Sequence, residues 1–145
     1  MVLVDAVKHG FLEPLLGGGC IAVAQSALGE VRYYRAAQGN EHPIDLTPHT
    51  QTGRLTVVAA TATEVEGLVA KGLQRRLGQG ELESLALVVS RGHDFCTADK
   101  AAVREMKDLG VLGRWISLEE LLARLNPPRT VPDPKYLRAP AEPKD

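Results

Sequence analysis

The chain has 145 residues, with 17 Lys and Arg against 18 Asp and Glu, and a formal net charge of −1. That length gives one domain with a real core, and the near-neutral balance provides no global attraction for nucleic acid, although a local basic groove stays compatible with it. No apolar run approaches the roughly 18 residues of a membrane span, and the N-terminus lacks a signal-peptide layout, so a soluble cytoplasmic protein is expected.

Val2 to Val4 is a short apolar beginning, and helical spacing over Ala6 to Leu16 predicts a helix stopped by Gly17-Gly18-Gly19. Cys20 to Ala24 has the length and content of a strand. Ser26 is placed to cap a helix over Ala27 to about Ala37, which carries Glu30, Arg32 and Arg35. Residues 38–53 are polar, with Gly, Asn, Pro and His, and read as an excursion loop. A second strand is expected over Leu55 to Ala60. Thr61 and Glu64 then make a T-x-x-E capping box for a helix to about Leu77.

Gly78-Gln79-Gly80 breaks the chain before a helix over Glu81 to Arg91. A strand at Phe95 to Thr97 follows, then a helix over Ala101 to Leu109 ended by Gly110. Arg114 to Ile116 is a last short strand, and Ser117 with Glu120 opens a helix over 118–125. Residues 127–145 are rich in proline and charge and read as a tail, leaving residues 1–126 as the domain. Alternating strands and helices imply an α/β fold with a mainly parallel sheet and helices on both faces. Sites in such sheets form at the carboxyl ends of strands. Asp99 lies just past one strand, Glu81 and Glu83 open the helix that leads into it, and Glu30 lies one turn into the helix after another. These acids are therefore expected to converge on one sheet edge.

The stretches "GELESLAL" and "HDFCTADKAAVREM", followed by "GRWISLEELL", resemble the C-terminal half of PIN domains. "GCIAVAQSALGEV" resembles that family's second strand and the helix that supplies a glutamate. The likeness runs over about residues 1–125 and implies a three-layer α/β/α fold. It also implies a metal-dependent ribonuclease like the toxins of bacterial toxin–antitoxin pairs, with RNA as substrate, an antitoxin protein as partner and a second copy as a further partner. Carried over by position, the acids that would hold Mg²⁺ or Mn²⁺ are Glu30, Glu81 or Glu83, and Asp99, with Thr97 as the supporting hydroxyl. A hard cation of this kind takes oxygen ligands, and clustered carboxylates need a counter-charge.

The family's first acid ends a central first strand, and here "MVLVDAVKHGFLEPLL" begins where that motif should already be under way. Either Asp5 takes its place, about one helical turn late, or the first acid and much of that strand are missing. The second possibility implies weak or no catalysis and leaves a non-catalytic, PIN-like interaction module as the alternative reading. Arg32, Lys100 and Arg104 are candidate phosphate contacts. Glu64 and Glu120 are accounted for by capping. The four histidines have no zinc-like spacing, Cys20 and Cys96 suit reduced thiols, and no nucleotide-binding glycine motif is present.

Overall fold

A computed structural model describes residues 2–17, 21–36 and 39–124. Cys20 and the tail expected over 127–145 lie outside these described residues. The N-terminal apolar stretch forms two helices instead of one, α1 (Val2–Lys8) and α2 (Leu12–Gly17). Gly10 separates them at φ 75°, a left-handed turn that glycine adopts without steric cost. Both helices press apolar faces inward through Leu3, Ala6, Leu15 and Leu16.

Strand β1 (Ile21–Ala24) leads directly into α3 (Gln25–Glu30). This helix begins two residues before the expected Ala27 and stops far short of Ala37. Ser26 does not cap it, because the N-cap position is Ala24 and has no side-chain bond. The chain then turns into a hairpin of β2 (Tyr33–Arg35) and β3 (Glu41–Pro43), with Tyr34 stacked on His42 at 4.9 Å between ring centroids. Aromatic side chains fit a pleated surface, and here a cross-strand partner outweighs helix continuation. The supposed excursion loop thus contains β3 and a short helix, α4 (Thr47–Gln51), with proline in its first turn.

Strand β4 (Leu55–Val58) pairs parallel with β1, Ile21 opposite Leu55 and Ala24 opposite Val58. Helix α5 (Ala62–Val69) opens on the expected capping box. The Glu64 N–H donates to Thr61 Oγ1 at 3.2 Å and the Thr61 N–H to Glu64 Oε1 at 2.9 Å. Arg91 adds a 2.7 Å ion pair to Glu64, and the Arg91 guanidinium holds that carboxyl well below its ordinary range. The helix ends before Leu77 because Gly72 takes φ 79°, and a short 3-10 turn at Leu73–Arg75 follows.

Helix α6 (Gln79–Arg91) runs to Gly92 in the left-handed conformation. After it come β5 (Phe95–Cys96), α7 (Lys100–Asp108), β6 (Trp115–Ile116) and α8 (Leu118–Ala123). Strands β5 and β6 are parallel, and Ser117 Oγ caps α8 by accepting from the Glu120 N–H at 3.1 Å. Helix α6 is apolar around most of its circumference because it separates two cores. Leu87 faces the first, with Leu15, Val23 and Leu55; Leu82, Leu85 and Val88 face the second, with Leu73, Ala102 and Met106.

The fold is mixed α/β. Among the described residues the strands form three pairs, β1–β4, β2–β3 and β5–β6, where the sequence pattern leads one to expect a single sheet. No helix among the described residues is long and apolar enough to cross a membrane.

Candidate functional site

The amino end of α6 gathers the carboxyl ends of three strands. Glu83 Oε1 accepts a 2.7 Å bond from the Ser26 N–H, just beyond β1, and Oε2 accepts a 3.1 Å bond from the Ala60 N–H, just beyond β4. Two backbone donors that sheet and helix leave unpaired are thereby satisfied by one carboxylate. Glu83 is a fastening between strands, with both oxygens engaged.

Two positions earlier on the same helix, about 200° round the axis, Glu81 faces a different set of groups. Its carboxyl is hydrogen-bonded to that of Asp99, which follows β5. Burial, then Asp99, then the nearby charge of Glu30 push the Glu81 carboxyl up from 4.5 to about 7. Asp99 is itself held on two sides. Its Oδ1 accepts from the Ala101 N–H at 2.8 Å, which caps α7, and its own N–H donates to Thr97 Oγ1 at 3.1 Å. Thr97 is buried, and its carbonyl accepts from Trp115 Nε1 at 2.9 Å. Glu30 Oε1 accepts from the Gly80 N–H at 3.3 Å, at the closest approach of α3 to α6. A side chain at position 80 would sit 2.8 Å from Ala27 Cα, so glycine is what lets Glu30 come this near.

No family model, curated protein or solved structure matches this chain. The site therefore stands on its own geometry. Glu30, Glu81 and Asp99 neighbour one another, while Glu83 turns away to the backbone. Among the described residues, no three carboxylate, imidazole or thiol side chains are close enough to enclose a metal ion. The donor chemistry nevertheless suits a hard cation: three oxygen-bearing groups, one of them disfavoured as an anion in its present surroundings.

Glu30, Glu81 and Asp99 open onto a cavity of about 840 Å³, which Asp5 also lines from α1. Asp5 is buried at 8% exposure. The candidate phosphate contacts Arg32, Lys100 and Arg104 are exposed and do not line the cavity, and Arg32 Nε donates to the Gly29 carbonyl at 2.9 Å. Arg76 pairs with buried Glu105 at 3.1 Å. The basic residues on the cavity wall are ones the sequence reading did not select, His93 and Arg124, the latter paired with Glu120 at 2.6 Å. An Arg one turn after a capping glutamate was the available signal. Cys96 also lines the cavity, and burial followed by the charge of Glu120 pushes its thiol up to about 12, which keeps it protonated and a poor nucleophile.

Proposed function

We propose that the chain is a Mg²⁺- or Mn²⁺-dependent ribonuclease built on a three-layer α/β/α PIN-like arrangement, with Glu30, Glu81 and Asp99 as the cation-binding acids. The observation that carries this reading is the meeting of Glu81 with Asp99 beside Glu30, at the carboxyl ends of parallel strands. Such an arrangement stabilises little by itself, because like charges brought together under partial burial raise the cost of ionisation. A divalent cation would supply the missing counter-charge, lower the pKa of a bound water and neutralise charge on a phosphodiester.

The chain's own groups prepare this site. Glu81 shares a proton with Asp99 at neutral pH and releases it when a cation takes its place, so binding strengthens as pH rises. Asp99 keeps a fixed position because Thr97 and the Ala101 N–H hold it, and Gly80 positions Glu30. Apolar residues of the cavity wall, among them Leu15 and Leu87, limit water around the acids. An antitoxin-like protein and a second copy of the chain are the partners that belong with this reading, in the cytoplasm.

One observation favours the second reading, a non-catalytic interaction module. The exposed cations Arg32, Lys100 and Arg104 stand away from the cavity, where they offer no guidance to an RNA phosphate entering it. Cleavage of a mixed-sequence single-stranded RNA with Mn²⁺ at pH 8 separates the two. The nuclease reading expects cleavage that is lost in Glu81→Gln and Asp99→Asn. Mn²⁺ binding without cleavage would favour the module.

A further inference from the structure

The cavity beside the acids is bounded by two strand edges. All of β1 from Ile21 to Ala24 lines it, while β4, on the far side of β1, contributes Val58 alone among its residues. On the opposite wall β5 lines it through Phe95 and Cys96, and β6 beyond contributes Ile116. The lateral order is therefore β4, β1, cavity, β5, β6. Strand β1 pairs with β4 on one side and β5 with β6 on one side, and among the described residues no strand pairs with the edges that face the cavity.

Those two edges also run in the same direction. Glu83 holds the chain just beyond β1 and β4, and Glu81, two residues earlier, meets Asp99 just beyond β5. The carboxyl ends of all three strands consequently lie at the start of α6. A segment between the edges would find backbone donors and acceptors on both sides with one polarity, spaced for strand pairing at about 4.8 Å per step. Its two faces would meet apolar side chains such as Val2 and Leu3 on one element and Leu87 and Val88 on another.

We propose that this gap receives an extended apolar segment of a partner protein, inserted as a strand parallel to β1 and β5, with a basic residue at its carboxyl end against Glu30, Glu81 and Asp99. Each feature of the occupant follows from a feature of the gap. Two facing edges with unpaired backbone select an extended strand over a helix. Apolar walls on both faces select a continuous apolar run, as in strands buried within parallel sheets. The acidic end selects a cation at the terminus of the segment. A second copy of this chain is poorly suited, because every strand among its described residues already has a partner.

The test uses the full chain and a synthetic peptide, acetyl-KKTVIVLVR-amide, followed by hydrogen exchange and fluorescence anisotropy. Saturable binding with amide exchange at residues 21–24 and 95–98 slowed by about tenfold or more is expected. The reversed peptide and one ending in Glu instead of Arg should bind about tenfold more weakly, a difference of about 1.4 kcal/mol. Equal binding of forward and reversed peptides, or no slowing at either edge, overturns the proposal. So does concentration-dependent protection of both edges without peptide, accompanied by a dimer in sedimentation, which would assign the gap to a second copy.

Discussion

Glu81 and Asp99 form a hydrogen-bonded carboxyl pair where α6 begins and the chain leaves β5. Because burial and its acidic neighbours raise Glu81 from 4.5 to about 7, the folded state binds a proton there that the unfolded chain releases earlier. The stabilisation tied to that proton is complete below about pH 4.5 and is lost as pH rises through about 7. Glu81→Gln keeps the neutral form at every pH. The variant should exceed the parent in stability at pH 8 by about 1 kcal/mol, a figure reduced for solvent screening at a half-buried position. The advantage should shrink at pH 5. Thermal unfolding at both pH values measures it, and adding Mn²⁺ at pH 8 should raise the midpoint of the parent far more than that of the variant.

Glu83 has a different task, and its substitution should separate folding from cation binding. Glu83→Ala leaves the Ser26 and Ala60 N–H groups without their acceptor in a partly buried setting. A loss of about 2–4 kcal/mol in urea unfolding is expected. Glu83→Gln retains one oxygen and should lose about half as much, while Mn²⁺ binding stays close to that of the parent. A large fall in Mn²⁺ affinity in the folded Gln variant would show that Glu83 is a ligand after all.

The acids near the site were legible in the sequence because strand ends and first helical turns are local features. Thr61 with Glu64 and Ser117 with Glu120 were legible for the same reason, since a cap is decided within four residues. The choice between Glu81 and Glu83 was not, because it depends on Ser26, Ala60 and Asp99, which are brought in from distant parts of the chain. The hairpin at Tyr33–Pro43 was missed because Tyr34 and His42 stabilise it only once paired. The interrupted sheet was also hidden, since strand patterns indicate that strands form and say little about which edges remain open.

The contact between α3 and α6 predicts opposite outcomes for two glycines. At Gly80 a Cβ would lie 2.8 Å from Ala27 Cα and 3.0 Å from Glu30 Oε2, so Gly80→Ala must push the helices apart. The overpacking cost of about 1–3 kcal/mol outweighs a helix-propensity gain of about 1 kcal/mol at most. At Gly29 nothing lies within 4 Å, so Gly29→Ala should stabilise by about 0.5–1 kcal/mol. Chemical denaturation of the two variants checks both signs. Gly80→Ala should also weaken Mn²⁺ binding, because the displaced α3 carries Glu30 away from Glu81.

Asp99 combines a cap with a candidate ligand, and two substitutions distinguish these roles. Its Oδ1 accepts from the Ala101 N–H at 2.8 Å, a bond that asparagine can reproduce and alanine cannot. Asp99→Asn should therefore keep α7 capped, and it also removes a charge that disfavours ionisation of Glu81. Its stability at pH 7 should equal or exceed that of the parent. Asp99→Ala forfeits the cap and should fall about 1 kcal/mol below Asp99→Asn. Both lack the anionic oxygen that a hard cation needs, so both should lose Mn²⁺ affinity by about tenfold or more. Calorimetric titration with Mn²⁺ beside thermal unfolding gives the two readouts from the same samples. If Asp99→Asn binds Mn²⁺ as tightly as the parent, Asp99 acts as a helix cap alone.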